Sequence, residues 1–422
     1  MIDQRKTTNN LSLSQKIAIV LLVVNCGSVY GISFSLFFYF CLLVCVVISF
    51  IHFEINKSLL SSAFYCIIVF SIAIWINYYL AEDCELISMV SLNFRFILAS
   101  LICIRFWNCW KSFFTYLSKI IFLLICISIV TWILSQYLTM TQSTIGNETL
   151  LSWNGLIFVR NEVSILGLSF FRNQFFFWEP GFYALIIVLY IFAQLFEQKI
   201  NVKRITIAFF VLLTTVSTTG IFIVLLPMLH CMFLRSNKNN MLKFLIVLTC
   251  LVFGIIAFYS LDSKINRGGR SSYALRKRDL IIPYHMLPNH IWKGYGHAPT
   301  GSQIDLLNDY VFLYFTKEDD LFFYNDEEGG SSNGVLWTMV TWGVIWSVLF
   351  FYLFYKQVVF KDNRLLFFIV IIFLLSSSSV FTFILILLFP VSGLVSMLGA
   401  PPCIYGIEEE TQTDRDGLKE AL

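Results

Sequence analysis

Charged residues are scarce in this chain of 422 residues. Asp, Glu, Lys and Arg make up 13% of the sequence, hydrophobic residues make up 58%, and the mean hydropathy is +0.77. A typical soluble domain carries about 25% charged residues, so this composition excludes a soluble domain and indicates an integral membrane protein. The apolar runs, such as 59–76 and 181–196, are long and continuous. They favour membrane helices over the alternating strands of a barrel.

Several motifs that carry chemistry are also missing. The sequence contains no Walker motif, no CxxC pair of the kind that binds metals and no internal repeat. Most of the eleven cysteines lie in apolar segments, and the polar stretch 261–335 has none. These cysteines are therefore interpreted as small hydrophobic residues. The sequence predicts neither ATP hydrolysis nor a metal site.

Twelve apolar stretches are candidate membrane helices, since a span needs about 20 such residues. They lie at 17–31, 33–51, 59–80, 88–106, 113–137, 180–196, 204–216, 219–234, 243–260, 335–355, 365–376 and 379–398. Blocks 204–234 and 365–398 are each interpreted as two helices, which turn near Ser217-Thr218-Thr219-Gly220 and Ser376–Ser379. The predicted fold is an all-α polytopic membrane protein.

This count of helices predicts four regions. Residues 1–260 hold membrane helices 1–9 with an outer loop at 138–178, and residues 261–335 form one large extracytoplasmic loop. Residues 336–398 hold helices 10–12, and residues 399–422 form a polar C-terminal tail. The first apolar run follows Arg5, Lys6 and Lys16, without a cleavage pattern, and is interpreted as a retained anchor.

The distribution of Lys and Arg predicts the orientation, because these residues favour the cytoplasmic side of short loops. The turn 81–87 has no Lys or Arg and carries Glu82, Asp83 and Glu85, so it is placed outside. With a turn inside block 204–234, six basic residues fall on the cytoplasmic side: Lys199, Lys203, Arg204, Arg235, Lys238 and Lys243. The N-terminus is then cytoplasmic, and loops 138–178 and 261–335 both face outward.

The two outer loops collect arginines that could bind a lipid-linked pyrophosphate, because the planar guanidinium matches phosphate geometry. The first candidates are Arg172, Arg276 and Arg278, with Arg95 and Arg270 as further candidates. Arg95 lies in the middle of span 88–106, where a charge costs about 2.5–3.5 kcal/mol. The alternatives are a solvated loop whose arginines are balanced by acids between Asp305 and Glu328, and snorkelling of Arg95 to an interface.

Three residues are candidate catalytic bases: Glu179, His290 and His297. Glu179 follows Arg172 and a run of aromatic residues and directly precedes Pro180-Gly181. Proline is favoured at a helix start, and a carboxylate is stabilised there by the positive helix end. The alternatives are a helix cap within an aromatic belt for Glu179 and merely solvated loop histidines. The spacing of His285, His290 and His297 is not that of a zinc site.

These patterns resemble the Wzy-type O-antigen and capsule polymerases and, more distantly, the O-antigen ligases. The resemblance spans most of the chain and depends on short motifs in a common order. They are Arg172 with Trp178-Glu179-Pro180-Gly181, the break Ser217-Thr218-Thr219-Gly220, Pro288 with Gly294-Tyr295-Gly296, and Ser332-Asn333-Gly334 before a span with Gly343. The relatives often have His-Asn where this chain has Ser332-Asn333.

The resemblance implies a GT-C-like glycosyltransferase of the bacterial cytoplasmic (inner) membrane. Its substrate would be an undecaprenyl-pyrophosphate-linked oligosaccharide, and it would use no cofactor and no nucleic acid. A hydroxyl of one lipid-linked repeat would attack the anomeric carbon of the growing chain, and undecaprenyl pyrophosphate would leave. A chain-length regulator and a flippase are the expected protein partners.

Three other functions remain open at this point. An O-antigen ligase, which transfers the finished polysaccharide to lipid A core, would share the architecture and the chemistry. A polysaccharide flippase or other transporter usually buries ionisable residues in several spans, whereas Arg95 stands nearly alone here. A non-enzymatic assembly partner is the third alternative.

Overall fold

The protein is represented by a computed structural model. It describes residues 11–51, 57–81, 84–145, 148–159, 162–165, 168–196, 201–234, 244, 247–248, 251, 254–255, 279–281, 283–289, 291–296, 333–376 and 382–399. The described residues are mostly helical.

The helices described in full are numbered here in chain order. They are α1 (Leu13–Val24), α2 (Val29–Ser33), α3 (Ser35–Phe50), α4 (Lys57–Leu80), α5 (Leu86–Phe106), α6 (Trp110–Ser135), α7 (Pro180–Phe196), α8 (Val202–Thr214), α9 (Thr218–Leu234), α10 (Gly334–Trp342), α11 (Val344–Lys356), α12 (Arg364–Leu375) and α13 (Ile384–Met397). Three short 3-10 turns add Trp107–Cys109, Leu287–Asn289 and Lys361–Asn363.

Two helical stretches in the described chain are long and apolar enough to cross a membrane. They are Lys57–Leu80 and the nearly continuous stretch Leu86–Ser135, which contains α5 and α6. Several shorter apolar helices accompany them, among them α7 with 17 residues and α11 with 13. The helix α8 also has 13 residues, and at 1.5 Å per residue it is only about 20 Å long.

The predicted division of the two doubtful blocks is confirmed. Block 204–234 divides into α8 and α9 after Thr214, and block 365–398 divides into α12 and α13 after Leu375. The predicted span 335–355 was wrong as a single helix, because Gly343 ends α10 and α11 begins directly after it. Span 17–31 is likewise divided into α1 and α2. Span 243–260 lies almost wholly outside the described residues.

Segment 138–178, which the sequence predicts to be an outer loop, contains β-structure that the all-α prediction missed. Strands β1 (Thr141–Ile145), β2 (Glu148–Trp153) and β3 (Ile157–Val159) form an antiparallel sheet in the order β1-β2-β3. Strands β4 (Glu162–Ile165) and β5 (Leu168–Phe171) form a separate hairpin. The first sheet packs on α2, where the Tyr30 hydroxyl donates to the Gly155 carbonyl and the Tyr30 ring contacts Phe158 edge-on.

Hydrogen bonds between distant residues hold the helix ends together at both ends of the bundle. At one end, named the loop end here, the last turn of α6 binds Phe171, and the Trp178 N–H donates to the Gly27 carbonyl between α1 and α2. At the opposite end, Arg105 Nε in α5 donates to the Ser49 carbonyl in α3 across 2.7 Å. The strands and the start of α7 therefore both lie at the loop end.

Candidate functional site

The segment 171–180 connects β5 to α7 and is fixed at its start by α6. The Phe171 carbonyl accepts hydrogen bonds from Trp132 Nε1 (2.8 Å) and Gln136 Nε2 (3.2 Å). The Phe171 N–H donates to Gln136 Oε1 across 2.9 Å. Both backbone groups of Phe171 are thus hydrogen-bonded to the C-terminal end of α6. The backbone position of the next residue, Arg172, is therefore fixed.

The other half of the segment is fixed by α2 and α7. The Phe176 carbonyl accepts from the Val29 N–H, and the Trp178 N–H donates to the Gly27 carbonyl, both across 2.8 Å. The buried Phe177 ring stacks on Tyr183 in α7 with 5.1 Å between ring centroids. These aromatic residues, for which a membrane belt was one alternative interpretation, therefore anchor this segment within the protein.

Arg172 binds the turn between α8 and α9. Its Nε donates to the Thr215 carbonyl across 2.9 Å, and Nη2 donates to the Val216 carbonyl across 3.3 Å. These carbonyls stand at the C-terminal end of α8, where the helix dipole is negative and favours a cation. Two of the five N–H groups of a guanidinium are used in these bonds, and three can serve Glu179 and an anionic ligand.

Glu179 stands at the start of α7, as predicted, and its carbonyl accepts from the Phe182 N–H (3.1 Å) and the Tyr183 N–H (3.2 Å). Its carboxylate acts electrostatically on Arg172. Burial lowers the pKa of Arg172, and the charge of Glu179 raises it in opposition. Both side chains are half-buried. The structure therefore brings together the arginine and the carboxylate that the sequence placed seven residues apart.

Arg95 is engaged elsewhere in the bundle. It lies in α5, where its guanidinium carbon stands 5.5 Å from the ring centroid of Tyr39 in α3. Its Nη2 donates to Ser91 Oγ across 3.4 Å. Nine residues separate Arg95 from the start of α5, about 14 Å along the helix. Tyr39 and Ser91 belong to α3 and α5, not to the segment that carries Arg172.

A second junction at the loop end joins residues 291–296, near the middle of the predicted loop 261–335, to the break between α10 and α11. The Tyr295 N–H donates to the Val340 carbonyl (2.9 Å) and the Gly296 N–H to the Thr341 carbonyl (2.8 Å). Asn77 Nδ2 in α4 donates to the carbonyls of both Lys293 and Thr341, each across 3.0 Å. We name residues 291–296 together with this break the glycine junction.

Five of the predicted site residues lie outside the described residues: Arg270, Arg276, Arg278, His290 and His297. His285 is described, and its ring lies beside Tyr284 with 5.5 Å between centroids.

Asn333 caps the start of α10, where its Oδ1 accepts a hydrogen bond from the Leu336 N–H across 3.1 Å. Asn333 therefore has a capping role at the position where the resembled family has His-Asn.

Two buried amides beside Arg172 were missed by the sequence analysis. Asn173 and Gln174 are 2% and 1% exposed, respectively. Asn173 Nδ2 donates to Thr214 Oγ1 (3.0 Å), but among the residues that the structure describes Asn173 Oδ1 and both polar atoms of Gln174 have no hydrogen-bond partner. The available signal was a polar pair inside an otherwise aromatic run.

Within the described ranges, no group of three or more His, Cys, Asp or Glu residues could hold a metal ion. Comparisons with protein-family models, with curated proteins and with solved structures found no match. A functional proposal for this chain therefore depends on the geometry around Arg172 and on the motifs given above.

Proposed function

We propose that this protein is a glycosyltransferase of the cytoplasmic membrane that polymerises undecaprenyl-pyrophosphate-linked oligosaccharide repeats. Its product would be O-antigen or a related surface polysaccharide. The observation that carries the proposal is the half-buried Arg172, which is held by the Thr215 and Val216 carbonyls and lies within the electrostatic reach of Glu179. The resemblance of the sequence motifs to those of Wzy-type polymerases also supports it.

The chemistry requires positive charge at the leaving group and a base at the acceptor. As the bond between the anomeric carbon and the phosphate oxygen breaks, negative charge builds on the pyrophosphate, and a fixed guanidinium stabilises that charge. The acceptor hydroxyl forms the new glycosidic bond and loses its proton to a base. Arg172 fits the first role, and Glu179 fits the second or positions Arg172.

The arrangement of the bundle agrees with a site on the outer face of the membrane. Segment 171–180, the turn between α8 and α9 and the glycine junction all lie at the loop end. A lipid-linked substrate keeps its hydrocarbon tail in the bilayer and its pyrophosphate at the surface. A site at the ends of membrane helices meets that substrate where its polar group begins.

The proposal is tested by complementation of a bacterial strain that lacks its polymerase. Arg172→Ala, Arg172→Lys and Glu179→Gln are compared with the wild type by the polysaccharide ladder on gels at equal protein level. We expect Arg172→Ala to abolish the ladder and Arg172→Lys to lower polymer at least about tenfold, since lysine keeps the charge but loses the bidentate fork.

Matched controls make the same chemical changes elsewhere. Arg204→Ala removes an arginine at the other end of α8, where the guanidinium carbon stands 5.1 Å from the Phe122 ring centroid. Glu162→Gln neutralises an exposed carboxylate in β4. Both controls should give full ladders. Full ladders from the Arg172 variants would overturn the proposed role of Arg172, and normal polymer from Glu179→Gln would exclude Glu179 as the base.

The same strain separates the alternative functions. If the protein were a ligase, loss of function would leave finished polymer on the undecaprenyl carrier. If it were a flippase, single lipid-linked repeats would accumulate on the cytoplasmic face. Under the proposed function, single repeats accumulate on the outer face.

A further inference from the structure

We propose that Gln174 and Asn173 form a subsite for sugar hydroxyl groups, next to the pyrophosphate-binding Arg172. This inference rests on the proposed function and adds a residue pair that binds the first sugar of the lipid-linked repeat. The observation behind it is a buried amide, Gln174, whose Nε2 and Oε1 both lack a hydrogen-bond partner within the described part of the chain.

A buried unpaired amide is costly to the fold, and an apolar side chain of the same shape would remove that cost. Gln174 occupies a segment that is otherwise rich in phenylalanine, so an apolar residue would suit the packing. The amide therefore has no structural use in this conformation. A polar group retained at such a cost is expected where a ligand completes its hydrogen bonds.

The neighbouring Asn173 supplies a further acceptor whose orientation is determined by its partners. Thr214 Oγ1 donates its proton to the Val211 carbonyl (2.7 Å), so it must accept from the Asn173 amide nitrogen. This assignment leaves Asn173 Oδ1 as the unpaired atom. The backbone is also held, because the Asn173 N–H donates to the Thr214 carbonyl across 3.0 Å.

The unpaired atoms identify the chemistry of the ligand. Gln174 Oε1 and Asn173 Oδ1 are acceptors and need donors, whereas a pyrophosphate oxygen can only accept. A sugar hydroxyl both donates and accepts, so it can pair with either end of the Gln174 amide. Because Arg172 is adjacent in the chain, the group that reaches these amides is the sugar attached directly to the pyrophosphate.

Access to the subsite requires a local movement, since the unpaired atoms are covered in this conformation. Phe175, the next residue, is half-buried and has a φ of +54°, a strained conformation for an aromatic residue. Such strain is concentrated at ligand clamps and switch regions. A shift of Phe175 toward an ordinary backbone conformation would accompany the entry of the sugar.

The test measures thermal stabilisation of the purified full-length protein in detergent by two lipids. One is undecaprenyl pyrophosphate without sugar, and the other is the sugar-bearing repeat extracted from a polymerase-lacking strain. Wild type, Gln174→Met and Arg172→Ala are compared, each against its own unfolding temperature without lipid. Gln174→Leu replaces the methionine variant if that variant does not accumulate.

We expect both lipids to stabilise the wild type, the sugar-bearing lipid more strongly. Gln174→Met should respond to undecaprenyl pyrophosphate like the wild type and lose the extra stabilisation by the sugar, with a KM for the repeat raised about 10- to 100-fold. Its unfolding temperature without lipid should equal or exceed that of the wild type. Arg172→Ala should respond to neither lipid as strongly as the wild type.

Two outcomes would overturn the inference in distinguishable ways. If the sugar-bearing lipid stabilises Gln174→Met as much as the wild type, the amide does not bind sugar and the proposed function survives. If neither lipid stabilises the wild type, the proposed function fails and the subsite fails with it.

Discussion

The glycine junction and the Arg172 site both contain an interruption between two helices at the loop end, but the two regions differ in backbone strain. At the glycine junction, the positive φ angles belong to Gly294 (+65°), Gly296 (+88°) and Gly343 (+81°). At the Arg172 site they belong to Phe175 (+54°) and Val216 (+50°), residues that rarely adopt them. The junction is relaxed, whereas the site retains strain.

Hydrogen bonding differs between the two regions in degree. The glycine junction pairs backbone groups of both partners and adds two bonds from one Asn77 nitrogen. Among the described residues, the junction leaves two isolated buried atoms without a partner, Asn77 Oδ1 and Trp342 Nε1, whereas the Arg172 site leaves Asn173 Oδ1 and both ends of the Gln174 amide without one. A whole buried amide without partners costs more than one unpaired oxygen or N–H and calls for a functional reason. The junction is therefore expected to determine stability and the Arg172 site to determine activity.

The largest effect on stability is expected from Gly343→Ala. The φ and ψ of Gly343, +81° and 157°, lie in a region open almost only to glycine, and an added Cβ would stand 2.6 Å from the Trp292 carbonyl oxygen. We expect a loss of about 3 kcal/mol or more, from backbone strain and steric overlap together. Thermal unfolding of the purified protein measures it.

Gly155→Ala is the matched control, since Gly155 has a φ of +68° but open space around its Cα. It should cost only about 1–2 kcal/mol, the price of a left-handed conformation. Equal losses from Gly343→Ala and Gly155→Ala would show that close backbone approach adds nothing at the junction.

Asn77→Leu should have the next largest effect on stability. It removes both bonds to the Lys293 and Thr341 carbonyls, and we expect a loss of about 2 kcal/mol. Activity per folded molecule should remain unchanged, because within the described residues the side-chain hydrogen bonds of Asn77 go to the glycine junction and not to segment 171–180. Asn93→Leu, which removes one bond with Ser71 (2.9 Å), is the control with a smaller loss. A specific activity that falls with Asn77→Leu would contradict the division of roles.

Arg172→Lys should change stability by only about 1 kcal/mol, since a lysine can still reach one of the two turn carbonyls. Its loss of polymer should therefore exceed any loss of folded protein. The ratio of product to folded protein, measured beside Asn77→Leu, gives the clearest contrast between the regions. If product falls only in proportion to folded protein, Arg172 is a structural residue.

Val216→Asn should have the smallest effect. Asparagine tolerates a positive φ better than a β-branched residue, so relief of strain should raise stability by less than about 1 kcal/mol after the loss of valine packing. Val202→Asn, at the start of α8 and without a positive φ, should not stabilise the protein. A stabilisation by both variants would exclude strain at Val216 as the cause.

Part of this fold could be predicted from the sequence. Apolar length and charge asymmetry correctly divided 204–234 into two helices, and Pro180 marked the start of α7 because proline suits a first helical turn. The break at Gly343 was missed, because the apolar run continues across it and only the contact with Trp292 explains the break. The strands in 138–178 were missed because their pairing depends on tertiary context.

The charged residues of the candidate site could likewise be predicted from the sequence, but its uncharged groups could not. The charges of Arg172 and Glu179 stand out in an apolar chain, so residue type alone selected them. The Thr215 and Val216 carbonyls that bind Arg172 are backbone atoms, so the residue types could not predict these contacts. Gln174 and Asn173 carry no charge, and their importance depends on burial and missing partners, which exist only in three dimensions.

The short helix α8 has a consequence for the lipid environment. Its length of about 20 Å falls short of the roughly 30 Å hydrocarbon core of a bilayer. If Val202 stays at one surface of a membrane, Thr215 and the bound Arg172 guanidinium lie about 10 Å below the other surface unless the bilayer thins there. The arginine would then draw a pyrophosphate beneath the headgroup plane, and polymer output would depend on acyl-chain length.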